Sequence, residues 1–130
     1  MTIADTLRRA ADIIDTHGWV QGEMVSNEGV CAMGAILLGS GEWDLCHMPY
    51  CDRPALVRRD GEWRALGQPE REACQAASDH LGGSLPIWND EAGRTKEQVV
   101  VLLRAAADQA DASTLPLEPV PSEVLEPALD

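Results

Sequence analysis

Val30-Cys31-Ala32-Met33-Gly34-Ala35-Ile36-Leu37-Leu38 is apolar nearly all the way round. A helix with no polar face must be enclosed by other elements, so this segment reads as a central, buried helix. Ser26 or Asn27 can cap its start, and Gly39 or Gly41 can end it. Gly34 in its middle costs ~1 kcal/mol against alanine. That cost makes sense only where another backbone packs closely against the helix.

The neighbours needed to bury this helix lie on both sides of it. Upstream, Ile3, Leu7, Ala10, Ala11 and Ile14 form a stripe at helical spacing, with Arg8 and Arg9 directed outward. Thr2 and Asp5 have capping-box spacing, and Gly18 stops the helix just before Trp19. Downstream, Pro69 opens a third helix with Ala73, Cys74, Ala76, Ala77 and Leu81 on its buried side, ended by Gly82-Gly83. Glu70 and Glu72 suit the positive end of its dipole. Ile87-Trp88-Asn89-Asp90 reads as a loop with two large apolar anchors. Thr95 and Gln98 box the start of the last helix, whose face is Val99, Leu102, Leu103, Ala106 and Ala110.

Residues 42–68 are the least regular part, and Pro49 and Pro54 break any long element there. A short hairpin from Ala55 to Leu66 is conceivable, turning at Asp60-Gly61. The expected architecture is mostly α: a small bundle of three to four helices with an irregular or short β-hairpin insertion. The helical domain covers residues 1–111, with the insertion at 42–68. Residues 112–130 hold four prolines in a sparse acidic segment and read as a disordered tail.

Composition narrows the function classes. The 130 residues suit one domain, and a hydrophobic share of 45% excludes a chain disordered throughout. The net charge is −12, of which −4 falls in residues 112–130 and −8 in residues 1–111. Phosphate backbones are repelled by such a surface, so direct nucleic-acid binding is not expected. A basic protein partner, or mimicry of nucleic acid, remains open. The start, Met1-Thr2-Ile3-Ala4-Asp5, lacks a basic region before an apolar core, so no signal peptide is expected. No apolar run nears the ~20 residues that span a membrane. A cytoplasmic protein with reduced cysteines is the expectation.

Three blocks, taken together and in order, carry a resemblance. They are Gly18-Trp19-Val20-Gln21-Gly22, Cys31-Ala32-Met33-Gly34-Ala35 and Trp88-Asn89-Asp90, with Arg94-Thr95 opening the final helix. Over roughly residues 4–107 the chain resembles uncharacterised domain-of-unknown-function proteins of actinobacteria and their phages. The resemblance implies that origin and a compact, mostly helical domain. It implies no established activity and no catalytic residues.

The residues offer several candidate sites. Cys31 lies near a helix start, where backbone N–H groups favour thiolate. With His47 or His80 and then Asn89 or Asp90, it follows the chain order of a thiol hydrolase, which needs a base and an orienter. The plainer reading is a small buried residue at a tight helix contact. Cys46, His47 and Cys51 hint at zinc, but a structural site needs a second ligand pair, and none is spaced for it. No metal and no cofactor is expected. Trp19 and Trp88, with Asn89 and Asp90 beside them, line a binding site in one reading and pin a connection in the other. Arg53, Arg58, Arg59 and Arg64 form the one basic island in an acidic chain and are the second candidate binding group. The leading expectation is a non-enzymatic protein-interaction module acting through an acidic helical surface. A cysteine-dependent hydrolase or transferase and an acidic nucleic-acid mimic are the alternatives.

Overall fold

The computed structural model describes residues 2–47, 54–59 and 66–114. The chain runs α1 (Ile3–His17), β1 (Val25–Ser26), β2 (Gly29–Val30), α2 (Ala32–Gly39), β3 (Trp43–His47), β4 (Pro54–Arg58), α3 (Gln68–Leu81), α4 (Leu85–Asn89) and α5 (Lys96–Thr114). The strands form two separate antiparallel pairs, β1 with β2 and β3 with β4. The fold is thus mostly α with short hairpins.

Helix α1 is central together with α2. Thr2 Oγ1 accepts from Asp5 N–H at 3.0 Å, and the Asp5 carboxylate accepts from Thr2 N–H at 3.1 Å. The expected stripe is buried at Leu7, Ala10, Ala11 and Ile14. It meets Ala32, Ala35 and Ile36 of α2, Ala73 and Ala77 of α3, and Val99, Leu103, Ala106 and Ala107 of α5. Small alanine faces let these helices approach closely. A Cβ on Gly39 would lie 2.7 Å from the Thr6 carbonyl oxygen of α1. Arg8 and Arg9 do not simply face solvent. Arg8 pairs with Asp108 and Asp111 of α5 at 2.9 and 2.8 Å, and Arg9 Nε donates to the Gly39 carbonyl at 3.0 Å. Arg104 of α5 reaches Asp12 and Asp15 of α1 at 3.1 and 3.0 Å.

Four boundaries differ from the sequence reading. First, α2 is capped by Cys31 rather than Ser26 or Asn27. Val25–Ser26 and Gly29–Val30 pair ahead of the helix, and Ser26 Oγ instead accepts from Glu28 N–H in the turn. Second, β4 pairs with the upstream segment, in register Trp43 with Arg58 through His47 with Pro54. The Asp60-Gly61 turn lies outside the described residues. Third, residues 85–89 form a short helix, capped by Ser84, where a loop was expected. Its buried members are Leu85 and Asn89, whereas Ile87 is 69% exposed. A five-residue stretch is too short for periodicity to say which apolar residue turns inward. Fourth, α5 extends through Thr114, past the boundary set at residue 111. Residues 115–130 lie outside the described set.

The requirement for glycine at position 34 has a clear cause. A Cβ there would lie 2.3 Å from the carbonyl oxygen of Met24. That same oxygen accepts from Cys31 N–H at 3.0 Å, so it cannot move away freely. Gly34→Ala should therefore lower unfolding free energy by about 1–3 kcal/mol, the cost of overpacking a tight contact. Gly83→Ala, where a Cβ meets nothing within 4 Å, should stay within about 0.5 kcal/mol of the parent. Urea unfolding of both variants checks the contrast.

Candidate functional site

Asn89 ends α4 and is 1% exposed. Its Oδ1 accepts from Trp19 Nε1–H at 2.7 Å and from Ala32 N–H at 3.0 Å. Its Nδ2 donates to the Val20 carbonyl at 3.3 Å and to Asp90 Oδ1 at 3.0 Å. A carboxamide offers two acceptor positions and two hydrogens, so the group is saturated. The neighbouring contacts extend the junction. Gln21 Nε2 donates to the carbonyls of Asn89 and Glu91 at 3.0 and 2.8 Å, and Gly22 N–H donates to Asp90 Oδ1 at 2.9 Å. The three sequence blocks therefore meet at one place.

The start of α2 is part of this junction. Helix N-termini leave their first N–H groups without intrahelical partners. Here Asn89 takes the N–H of Ala32 from across the fold, and Cys31 Sγ accepts from Gly34 N–H at 3.3 Å. Arg94 closes the outer side. Its guanidinium lies 4.0 Å above the Trp88 ring, its Nε donates to the Trp88 carbonyl at 3.0 Å, and it pairs with Glu91.

Beside the junction is a cleft of about 290 Å³, lined by Gly22, Glu23, Met24, Cys31, Met33, Pro86, Asn89 and Asp90. It brings together three of the residues proposed for thiol chemistry: Cys31, Asn89 and Asp90. No histidine lines it among the described residues. His80 lies on α3 against Gln109 of α5 and borders a different depression with Trp88 and Arg94. The His47 side chain is outside the described residues. Burial pushes the Cys31 thiol up, the Asp90 charge adds to this, and the N–H groups of Gly34 and Met33 only partly oppose it. The helix-start effect that favours thiolate is outweighed by desolvation. Asn89 spends both lone pairs and both hydrogens on the fold.

Cys74 packs its Sγ 3.0 Å from Met33 Sδ, and burial, then the charges of Glu70 and Cys31, raise its thiol to about 12. Cys46 is exposed on β3, and Cys51 lies outside the described residues. Among the described residues, no cluster of three His, Cys, Asp or Glu side chains is placed to hold a metal ion.

The described half of the basic island, Arg58 and Arg59, is drawn into the chain itself. Arg59 makes a two-pronged pair with Asp44 at 2.6 and 3.1 Å. Arg58 lies 3.6 Å from Glu70, which is 0% exposed. Arg53 and Arg64 lie outside the described residues. Glu70 is the residue whose role the sequence reading undervalued. Its Oε2 accepts from Trp43 Nε1–H at 2.8 Å and from Gly67 N–H at 2.9 Å. Burial pushes its carboxyl up, but the bonds from Trp43, Gly67 and its own N–H, with the Arg58 charge, outweigh this and hold it below the usual range. The signal available was Gly67-x-x-Glu70, the spacing of a box with a glycine at its head.

A model of a family of unknown function (DUF6197) matches residues 1–109. The chain belongs to that family. No curated protein and no solved structure matches it. The matched span holds the whole junction, from Trp19 through Cys31 to Asn89 and Arg94. Among the described residues, no helix is long and apolar enough to cross a membrane.

Two outcomes follow from the junction. Trp19→Phe and Asn89→Ala should each destabilise the fold, Asn89→Ala by about 2–4 kcal/mol because it strands two buried N–H groups and a carbonyl. The double variant should lose less than the sum by about 0.5–3 kcal/mol, since both remove one shared bond. A double-mutant cycle by chemical denaturation checks this. For the thiols, Cys46 should react with iodoacetamide at neutral pH well ahead of Cys31 and Cys74, by peptide mass mapping. Because the Cys74 thiol titrates near 12 when folded against an ordinary 9.0, the unfolded chain releases its proton first on raising pH. Stability should then fall from about pH 9 upward, and Cys74→Ala should flatten that fall.

Proposed function

We propose that the chain is a protein-interaction module without a catalytic step of its own, acting through its acidic surface on a basic partner. The observation that carries this reading is the engagement of every described arginine by the chain itself. Arg8 and Arg104 clamp α1 to α5, Arg59 holds Asp44, Arg58 faces Glu70, and Arg94 holds Glu91 and Trp88. Arg9 and Arg71 donate to the carbonyls of Gly39 and Leu66. The described arginines are engaged within the chain, while acids outnumber bases by eight in residues 1–111. Such a field attracts cationic surfaces and speeds their approach.

Two features weigh against the thiol-hydrolase alternative. Cys31 is held protonated by burial, and the described residues bring no histidine to its cleft. The nucleic-acid mimic shares the acidic surface and is separated by competition. The actinobacterial or actinophage origin and the cytoplasmic setting belong to this same proposal, supported by the resemblance of the three blocks.

The test is capture from an actinobacterial lysate on the immobilised full chain. A specific basic partner should be retained at low ionic strength and released as salt approaches roughly 0.5 M, where the screening length falls to a few ångströms. Retention that ignores salt, or no specific partner, overturns the reading. Displacement of the partner by duplex DNA selects the mimic.

A further inference from the structure

Four sulfur atoms gather around the start of α2. Cys31 caps that helix, and Met33 stands in its first turn. Both line the cleft beside the Asn89 junction, together with Met24. Cys74 of α3 brings its Sγ to 3.0 Å from Met33 Sδ. The charge of Cys31 acts on the Cys74 thiol, so the two thiols are also neighbours. We propose that Cys31, Met33 and Cys74 form a binding site for one Cu(I) ion. Such a site is independent of any partner on the acidic surface.

The donor chemistry selects the ion. Thiolate and thioether sulfur are soft donors that suit Cu(I), whereas zinc sites draw on thiolate, imidazole and carboxylate, and magnesium and calcium on oxygen. A thioether among three sulfur donors therefore points to Cu(I). Metal–sulfur bonds are about 2.3 Å in zinc thiolates, so two donors on one ion of similar size lie within about 4.6 Å of each other. Cys74 and Met33 already meet that limit. The unbranched, rotatable side chain of Met33 lets the pair open around an ion without a shift of α2 or α3.

The surroundings fit a cation between the sulfurs. Burial raises both thiols, and the charges of Asp90 at Cys31 and Glu70 at Cys74 add to it. A bare pair of thiolates is opposed by all of these. Binding displaces one proton from each thiol to water. Cu(I) with two thiolates and a neutral thioether then carries a single net negative charge in place of two, and no electron is transferred. The N–H groups of Gly34 and Met33 at the Cys31 sulfur face that remaining charge. They stand where outer-sphere donors orient the ligands of metal sites. The cleft, about 290 Å³, gives the ion a route from solvent past Met24.

The test uses the full chain, reduced and free of oxygen, with methionine methyl groups labelled with carbon-13. The probe is Cu(I) buffered by ferrozine. One Cu(I) per chain should be taken up, and the Met33 methyl signal should shift and saturate at that ratio. Met33→Leu conserves volume and keeps the packing. It and Cys74→Ala should each weaken uptake by at least about tenfold, since even outer-sphere partners of a metal are worth about 10–100-fold. Met33→Leu keeps the site testable should Cys74→Ala disturb the fold, as judged by thermal unfolding. Cys46→Ser combined with Cys51→Ser should leave uptake unchanged. No shift at Met33, uptake that survives Met33→Leu, or uptake lost with the Cys46 and Cys51 replacements overturns the site.

Discussion

The Asn89 carboxamide joins Trp19, Val20, Ala32 and Asp90 through four hydrogen bonds while itself excluded from water. A buried amide without partners costs about 1–3 kcal/mol or more. The enclosed N–H of Ala32 has the same problem, and the half-buried Trp19 indole shares part of it. The Trp19 indole N–H and the first N–H of α2 would be stranded if Asn89 were elsewhere. The segment after α1, the start of α2 and the end of α4 are therefore placed by one another. Apolar burial brings the helices together, because it is large but non-directional. The carboxamide selects among the compact arrangements the one in which its own four hydrogen bonds are made.

Local chemistry made part of this legible. The boxes at Thr2 and Thr95 and the stop at Gly18 are read within four residues, and the structure has them where the spacing puts them. The stripes of α1 and α5 are long enough for a period to declare itself. The cost of Gly34 correctly implied a close backbone, although nothing local could name Met24. What stayed hidden is tertiary. Asn89 meets its partners across 57 to 70 residues, and a bond of that separation leaves no period to detect. The resemblance grouped the three blocks without a reason for the grouping. Their meeting around one saturated amide supplies the reason. Cys31 fits the plainer of its two readings. Its position at a helix start was right, but the same enclosure that makes it a cap removes the solvation a thiolate needs.

The charges follow a similar logic. Arg8 and Arg104 lie on opposite partners of the α1–α5 pair, and each reaches two acids on the other helix. Exposed pairs of this kind add little to stability but favour one helix register over its neighbours. Glu70 is a different case, since it is fully enclosed and draws on an indole, a backbone N–H and a guanidinium. Removing one partner from such a group is expensive, whereas the group as a whole adds more specificity than stability. The described arginines are thus engaged in holding the helices and the β3–β4 hairpin to one another.

Structure and candidate function share residues at the cleft, and this decides which substitutions are informative. Asn89 forms part of the cleft wall, yet all of its polar capacity holds the fold. A loss of binding in an Asn89 variant would therefore say nothing about recognition. Cys31 is compromised in the same way by its bond to Gly34 N–H. Asp90 differs, because it joins the junction through Oδ1 as an acceptor, and the fold requires an acceptor there but not a charge. Asparagine at position 90 can preserve that acceptor while removing the charge. Glu23 lines the same cleft and takes no part in the Asn89 bonds. The charge of the cleft can therefore be separated from its architecture at these two positions. The three blocks fix the frame, and the charge beside it can be varied without dismantling that frame.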